Sequence, residues 1–357
     1  ESYLADLVRL AGEGLHRIYG CCLNYPADGP FDRTRLAAYL RDRVVRPNAY
    51  YVGNAGLSAE RIRREAALRE RLEQELDSLE RAGKLGRPPH EIRRQLQDAV
   101  SCDSRFEWAR SAEPSLSLLE RVLPYLPIAG LVVGGVLLLP VLLPAGLGTL
   151  LLLDQRERSD PEGSGPVADH HLEQLLAQED QPGVLQNHMA KLAQVKPGRF
   201  RRGLLSLVLW LANRVARVST DGTLSGIPTI HFAHWSMIDG GQRLLFLSNY
   251  DGSWGSYLDD FIDKASDGLT LIWSNTVGFP RSHYRPAWRF PPVVITGGTS
   301  DGPRFKANSR AHMVPTNVRH TLYPDLTVQQ INRNRDLRNG LFAKLDPAGE
   351  RKWLRYL

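Results

Sequence analysis

Cysteine is scarce in this chain. Among 357 residues there are three, Cys21, Cys22 and Cys102. The count is odd, and neither a CxxC pair nor a Cys/His zinc spacing occurs. A disulfide framework and a zinc module are thereby excluded, and a reducing compartment is expected. The adjacent Cys21 and Cys22 read as small residues near an element end rather than as a redox pair. No Walker loop, HExxH or paired-carboxylate pattern is present, which removes P-loop nucleotide hydrolysis and zinc-dependent proteolysis from consideration. A large excess of one charge is missing too. Lys and Arg number 45 against 39 Asp and Glu, a formal net charge of +6. Such a balance suits contact with anionic lipid, and no nucleic-acid partner is expected from it.

Between Val122 and Leu153 charge is absent altogether, over 32 residues reading VLPYLPIAGLVVGGVLLLPVLLPAGLGTLLLL. A bilayer core of about 30 Å needs roughly 20 apolar residues as a helix. This run would reach about 48 Å at the helical rise. The excess length, with Pro140 and Pro144 inside it, predicts either a kinked, tilted crossing or a broken hairpin that re-enters. A soluble core helix fits poorly, because the run is apolar on every face. Further on, Arg199, Arg201 and Arg202 stand just before a short apolar stretch that holds Trp210 and is interrupted by Arg214 and Arg217. This predicts a basic helix over 196–218 lying in the membrane interface, with Arg199, Arg201, Arg202 and Trp210 as its contacts.

The chain also repeats itself. Glu1–Pro26 aligns without a gap with Gly255–Pro280, with 9 of 26 positions identical, and Asp32–Leu72 aligns with Asp301–Leu341, with 12 of 41 identical. Two ungapped blocks in the same order predict a duplicated domain. The second copy is preceded by about 26 residues that read as two strands. The first has no counterpart to them, so its opening strands are expected before Glu1 or from another chain.

Local patterns predict helices over 2–13, 33–43, 58–82, 90–100, 256–264, 304–312 and 327–342, and one or two short helices over 172–192. Strands are predicted over 15–21, 48–52, 229–238, 243–250, 269–274 and 317–323. The fold class expected is α+β, with helices on one face of an antiparallel sheet. Two ferredoxin-like repeats, the first truncated at its N-terminus, would be joined by the hydrophobic segment and helices. The divisions are 1–82 (first repeat with its long helix), 83–121 (helical linker), 122–153 (membrane segment), 154–195 (charged linker and short helices), 196–218 (basic interfacial helix) and 219–357 (second repeat). If the two copies pair, both lie on one side of the membrane. The segment at 122–153 must then return, or 203–218 must bring the chain back.

The strings HFAHW at His231–Trp235, RLLFLSNYDGSWGSYLDDFID at Arg243–Asp263 and IWSNTVGFP at Ile272–Pro280 resemble a family of large, poorly characterised bacterial membrane-associated proteins. The likeness extends over Gln186–Leu341, and the family pattern has Arg where this chain has His234. In fold, the repeat is similar to dimeric α+β barrels, a group that includes dye-decolourising haem peroxidases, chlorite-dismutase-like proteins and small monooxygenases. The resemblance supplies no catalytic residues.

From the expected strands, a pocket would hold His231, Trp235, Trp273, Asn275 and His320, the ingredients of a haem site with an axial histidine and a distal polar group. The string GTSDG at Gly298–Gly302 imitates the peroxidase GxxDG pattern, and a Gly-Asp turn explains it without haem. The main expectation is a membrane-anchored binding or interaction module with its folded domains on the cytoplasmic face. Membrane lipid is the expected partner, with pairing of the repeats or a homo-oligomer beside it. Haem is the cofactor considered, for a peroxidase or related oxidoreductase. A lipid-binding or lipid-modifying protein is the third alternative.

Overall fold

The computed structural model describes all residues except 1, 27–28, 85, 112–117, 162, 164, 166, 219–222 and 287–292. Parts of the linkers expected at 83–121 and 154–195, and the start of the repeat expected at 219–357, therefore lie outside the described residues. The chain forms two compact units, Glu1–Pro47 and Asn48–Leu357.

The first unit is a helix pair, α1 (Ser2–Tyr19) and α2 (Arg33–Asp42). Asp32 caps α2, its carboxylate accepting from the Thr34 and Arg35 amides. No strand forms at 15–21, because α1 continues through Gly14 to Tyr19. Leu4, Val8, Leu15 and Tyr19 keep helical spacing and pack with Leu36, Tyr39 and Leu40 of α2. That contact outweighs the roughly 1 kcal/mol that a mid-helix glycine costs.

The second unit opens with β1 (Ala49–Val52), α3 (Ala59–Arg81), α4 (Pro89–Ser101) and α5 (Leu118–Val122). Two apolar helices follow, α6 (Leu126–Leu137) and α7 (Leu139–Ser159), then α8 (Asp169–Leu176). Next come β2 (Gln186–Gln194), α9 (Arg199–Ala216), β3 (Ile230–Ile238), β4 (Arg243–Asp251) and α10 (Trp254–Trp273). A two-stranded ribbon, β5 (Ser282–Pro286) with β6 (Val293–Gly297), precedes α11 (Gly302–His312), α12 (Val328–Leu341) and α13 (Pro347–Leu354). The main sheet is antiparallel, in the order β1-β3-β4-β2. Since β4 lies antiparallel between β2 and β3, these two run parallel and α9 connects them, a split β-α-β arrangement.

The expected α+β class holds, with helices against one face of an antiparallel sheet. The strand set differs from the one the sequence predicts. β2 occupies residues read as helix, because Met, Ala, Lys and Leu favour helices locally while their burial alternates: Met189, Lys191 and Ala193 are buried and His188, Ala190 and Leu192 half-buried. Residues 269–274 are the end of α10, where Leu269, Ile272 and Trp273 continue the buried stripe of Tyr257, Leu258 and Phe261. Residues 317–323 join no ladder.

Sequence repetition coincides with helix positions. At the offset of 254, α1 corresponds to the final 18 residues of α10, and at 269 the cap Asp32 of α2 corresponds to Asp301 of α11. Ser58, which caps α3, corresponds to Thr327, which caps α12 in a reciprocal capping box. α3 and α12 also pack on each other. The matched pairs Leu68/Leu337 and Leu72/Leu341 are all fully buried in one cluster. Arg69 of α3 donates to Asn334 of α12, which occupies the position equivalent to Glu65.

The charge-free run forms α6 and α7, bent by 91° at Leu138. Among the described residues no single helix is long and apolar enough to cross a membrane. Both limbs present apolar side chains to solvent, including Val132, Val133, Val136, Leu137, Val141 and Leu143, each at least 60% exposed. Both ends of the run are fastened to the same unit. Before it, β1 pairs with β3, and the Ser111 carbonyl accepts from Arg338 of α12. After it, α7 packs along β5.

Candidate functional site

The inner face of the sheet holds a row of large side chains. Lys191 of β2 stands beside Phe246 of β4, which stands beside Trp235 of β3, then Ala49 of β1. Trp235 lies 4.7 Å from Phe246, and Phe246 meets Trp273 edge-on at 5.9 Å. So the structure brings Trp235 and Trp273 together, through a phenylalanine that the sequence reading left out. Trp273 arrives from the last turn of α10 rather than from a strand. Asn275, just beyond, is fully buried; its amide donates to the Leu271 carbonyl at 2.8 Å and its own carbonyl accepts from the Lys196 amide. It closes the end of α10.

His231 and His320 sit elsewhere. A bulge between Ile230 and Phe232 breaks the alternation of β3. Ile230 takes the core position, and His231 meets Asp251, Nε2 to Oδ1 at 2.7 Å. The other Asp251 oxygen accepts from the Val328 amide at the start of α12. The pair is buried and ties the ends of the two central strands to a helix N-terminus. His320 is exposed, on the segment that forms no strand. These five residues do not fit a haem. The Nε2 of His231 is occupied by Asp251, its Nδ1 is sealed in the interior, and the two tryptophans are core side chains packed on Phe246. Among the described residues no cluster of His, Cys, Asp or Glu could hold a metal ion.

Sequence reasoning missed Lys191. It is completely buried, with Nζ 3.0 Å from Asn308 Oδ1, 3.3 Å from Ser309 Oγ and 3.9 Å from the centre of the Trp273 ring. Burial pushes its ammonium down to about 7. The signal in the sequence was a lysine among Met, Ala and Leu, hidden because the segment read as helix.

GTSDG at Gly298–Gly302 also spells the G-x-S-x-G pattern that places a nucleophilic serine between a strand and a helix. It does lie between β6 and α11. Ser300 is exposed and its hydroxyl donates to the Gly297 carbonyl at 2.8 Å, and among the described residues no histidine partners it. Asp301 caps α11 by accepting from the Arg304 amide. The string is a turn and a helix cap.

The residues expected at a membrane interface divide. Arg201 is 1% exposed and lies in an ion cluster where α7 meets α9. Its Nη2 donates to Glu157 Oε1 at 2.6 Å and to Asp160 Oδ2 at 2.5 Å, and Lys196 Nζ reaches the same two carboxylates at 2.9 and 3.0 Å. Burial pushes the Asp160 carboxyl up, but hydrogen bonds from Lys196 and Arg201 outweigh it and hold Asp160 below its usual range. Arg201 is thus a fastening inside the body, not a surface contact. Arg199, Arg202 and Trp210 are exposed, and Leu207, Leu211 and Val215 add an exposed apolar stripe to the outer face of α9. The Arg214 guanidinium lies 5.2 Å from the Trp210 ring. At the start of α9 a cavity of about 480 Å³ is lined by Arg199, Arg202, Ser206, Met237 and the Gly240–Gly241 turn.

Comparison with protein-family models, with curated proteins and with solved structures finds no match.

Proposed function

We propose that this protein is a membrane-anchored binding module whose α+β body is held at the cytoplasmic face by a re-entrant arm, α6–α7, and by the interfacial helix α9. The split β-α-β sheet supports reading the body as ferredoxin-like.

The observation that carries the proposal is the arm. It is free of charge, bent by 91° and exposed on both limbs. Twelve residues of α6 reach about 18 Å at the helical rise, more than half of a 30 Å hydrocarbon core but well short of its full depth. Proline in the first turn of α7 and again at Pro144 suits a break in the run. With β1 before the arm and β3 after it in one sheet, a single crossing would pull that sheet apart. An apolar surface this continuous is unusual on a water-facing monomer and marks an interaction site. α9 adds a second apolar stripe with flanking arginines, the pattern of a helix lying in the headgroup region.

Flotation on phosphatidylcholine vesicles tests this. The wild-type chain should float. Val133→Asp with Leu143→Asp places a carboxylate on each limb at side chains 60% and 61% exposed, so the fold is kept while insertion costs about 2.5–3.5 kcal/mol for each acid placed deep in the bilayer. The expected result is at least a tenfold loss of vesicle-bound protein with an unchanged circular dichroism spectrum. Equal flotation of variant and wild type contradicts the proposal.

A further inference from the structure

We infer that the cavity at the first two turns of α9 is a phosphate site that takes the headgroup of an anionic phospholipid. The inference rests on the interfacial reading above and names what that surface binds.

Residues 199, 202, 203 and 206 fall on one side of α9, and all four line the cavity. The opposite wall is the turn between β3 and β4, where Gly240 and Gly241 have positive φ of 63° and 80°. The positive φ of Gly241 favours glycine at the second position. A Cβ there would lie 3.3 Å from Met237 Cε, the end of a flexible side chain, and 3.6 Å from Arg202 Cδ, an ordinary contact distance. The turn therefore lies beside Arg202.

Among the described residues neither Arg199 nor Arg202 has a carboxylate partner, whereas Arg201 binds Glu157 and Asp160, Arg243 binds Asp239 and Arg158 binds Asp154. Two guanidinium groups on one concave wall match the oxygens of a phosphate, which each can grip with paired N–H groups. Among the described residues the Ser206 hydroxyl is engaged only by the Met237 sulfur at 3.3 Å, a weak acceptor that a phosphate oxygen would replace. The field of the helix start adds to the same sign.

The surroundings select lipid over free phosphate. One turn beyond Ser206 on this side lies Trp210, 40% exposed, with Leu207 and Leu211 beside it. A ligand with its phosphate in the cavity would lay its acyl chains along that stripe, at the depth where a tryptophan ring settles.

The test uses the full chain with two vesicle types, phosphatidylcholine alone and phosphatidylcholine with three-tenths phosphatidylglycerol. Wild type should bind the anionic vesicles more tightly, and Arg199→Gln with Arg202→Gln should remove roughly thirtyfold of that preference while leaving binding to neutral vesicles intact. Two further variants separate a site from diffuse charge. Arg94→Gln with Arg351→Gln removes the same charge from exposed residues elsewhere and should leave most of the preference. Gly203→Leu changes no charge and projects into open space, with nothing within 4 Å of its Cβ. It improves the helix yet should remove most of the preference by placing a branched apolar side chain on the cavity wall beside Arg199, Arg202 and Ser206.

The inference is overturned if the remote pair loses as much as the cavity pair, or if Gly203→Leu binds like wild type. Release of wild type from anionic vesicles by millimolar glycerol phosphate, with thermal stabilisation by it in the absence of vesicles, would assign the site to a free phosphate instead. Equal binding to both vesicle types defeats this inference alone, while binding to neither defeats the anchoring proposal beneath it.

Discussion

Glu157→Gln lowers the stability of the body by about 3–5 kcal/mol, the usual cost of leaving buried charge uncompensated. Glu157 lies near the end of α7 and is 1% exposed. Its Oε1 accepts from both Lys196 and Arg201, its Oε2 from the Ser282 amide and hydroxyl, and its backbone carbonyl from Arg281. The Ser282 hydroxyl bonds to that of Tyr284, which bonds to Ser274 beyond α10. One carboxylate thus joins the exit of the arm to α9, to β5 and to the sheet. Gln keeps the shape and removes the charge, leaving two cations against Asp160 alone. The cluster has no reserve, since Arg201 Nη1 is already buried without a partner.

Urea denaturation followed by tryptophan fluorescence measures the cost. Pairing Glu157→Gln with Arg201→Met should cost clearly less than the sum of the single changes, because Lys196 and Asp160 remain as a balanced pair. A single-variant cost below about 1 kcal/mol, or simple additivity, would show that the cluster does not fasten the arm.

Lys191→Met has the opposite sign. Its ammonium is pushed from 10.5 down to about 7 by burial. Between those values the unfolded chain holds a proton that the folded chain lacks, so wild-type stability rises with pH from about 7 to about 10. Below pH 7 the folded state carries the full cost of a buried charge. Met has a similar length and no charge. It should stabilise the protein by on the order of 4–5 kcal/mol at pH 6.5, less what is lost at Asn308 and Ser309, and the gain should shrink towards zero near pH 10. His312 shares this neighbourhood. Burial pushes it below its ordinary value, and the Lys191 charge pushes the same way, so the window from pH 7 to 10 reports the lysine. A gain that does not change with pH, or a loss at pH 6.5, would show that the ammonium is stabilised where it stands.

These two residues show where the sequence was legible and where it was not. Elements with local signals were readable: α3 has Ser58 to start it and one apolar stripe, and β3 and β4 alternate on either side of a glycine turn. β2 was not readable, since its residues prefer helix and only pairing with β4 makes them a strand. With β2 misread, Lys191 could not be placed in the core. The candidate pocket failed for the same kind of reason. It assumed that His231 follows the alternation of β3 and that Trp273 and His320 lie on strands, while a bulge, a continued helix and an unpaired loop put them apart. Arg201 was read as a surface charge because Arg199, Arg201 and Arg202 look alike in sequence; the partner that buries it lies 44 residues away. The charge-free run was plain in the sequence, and the choice between crossing and the return proposed for it was not, because that depends on β1 meeting β3, where Val52 pairs with Phe232, 180 residues further on.

That choice can be measured with one natural and one introduced cysteine. Cys102 is exposed and precedes the arm. Ser159 is exposed and ends α7. In a chain carrying Cys21→Ser, Cys22→Ser and Ser159→Cys, bound to preformed vesicles and floated, a membrane-impermeant maleimide should label both cysteines at similar rates without detergent. Labelling of one cysteine only after detergent opens the vesicles would place the two ends of the arm on opposite sides, and the re-entrant account would be wrong.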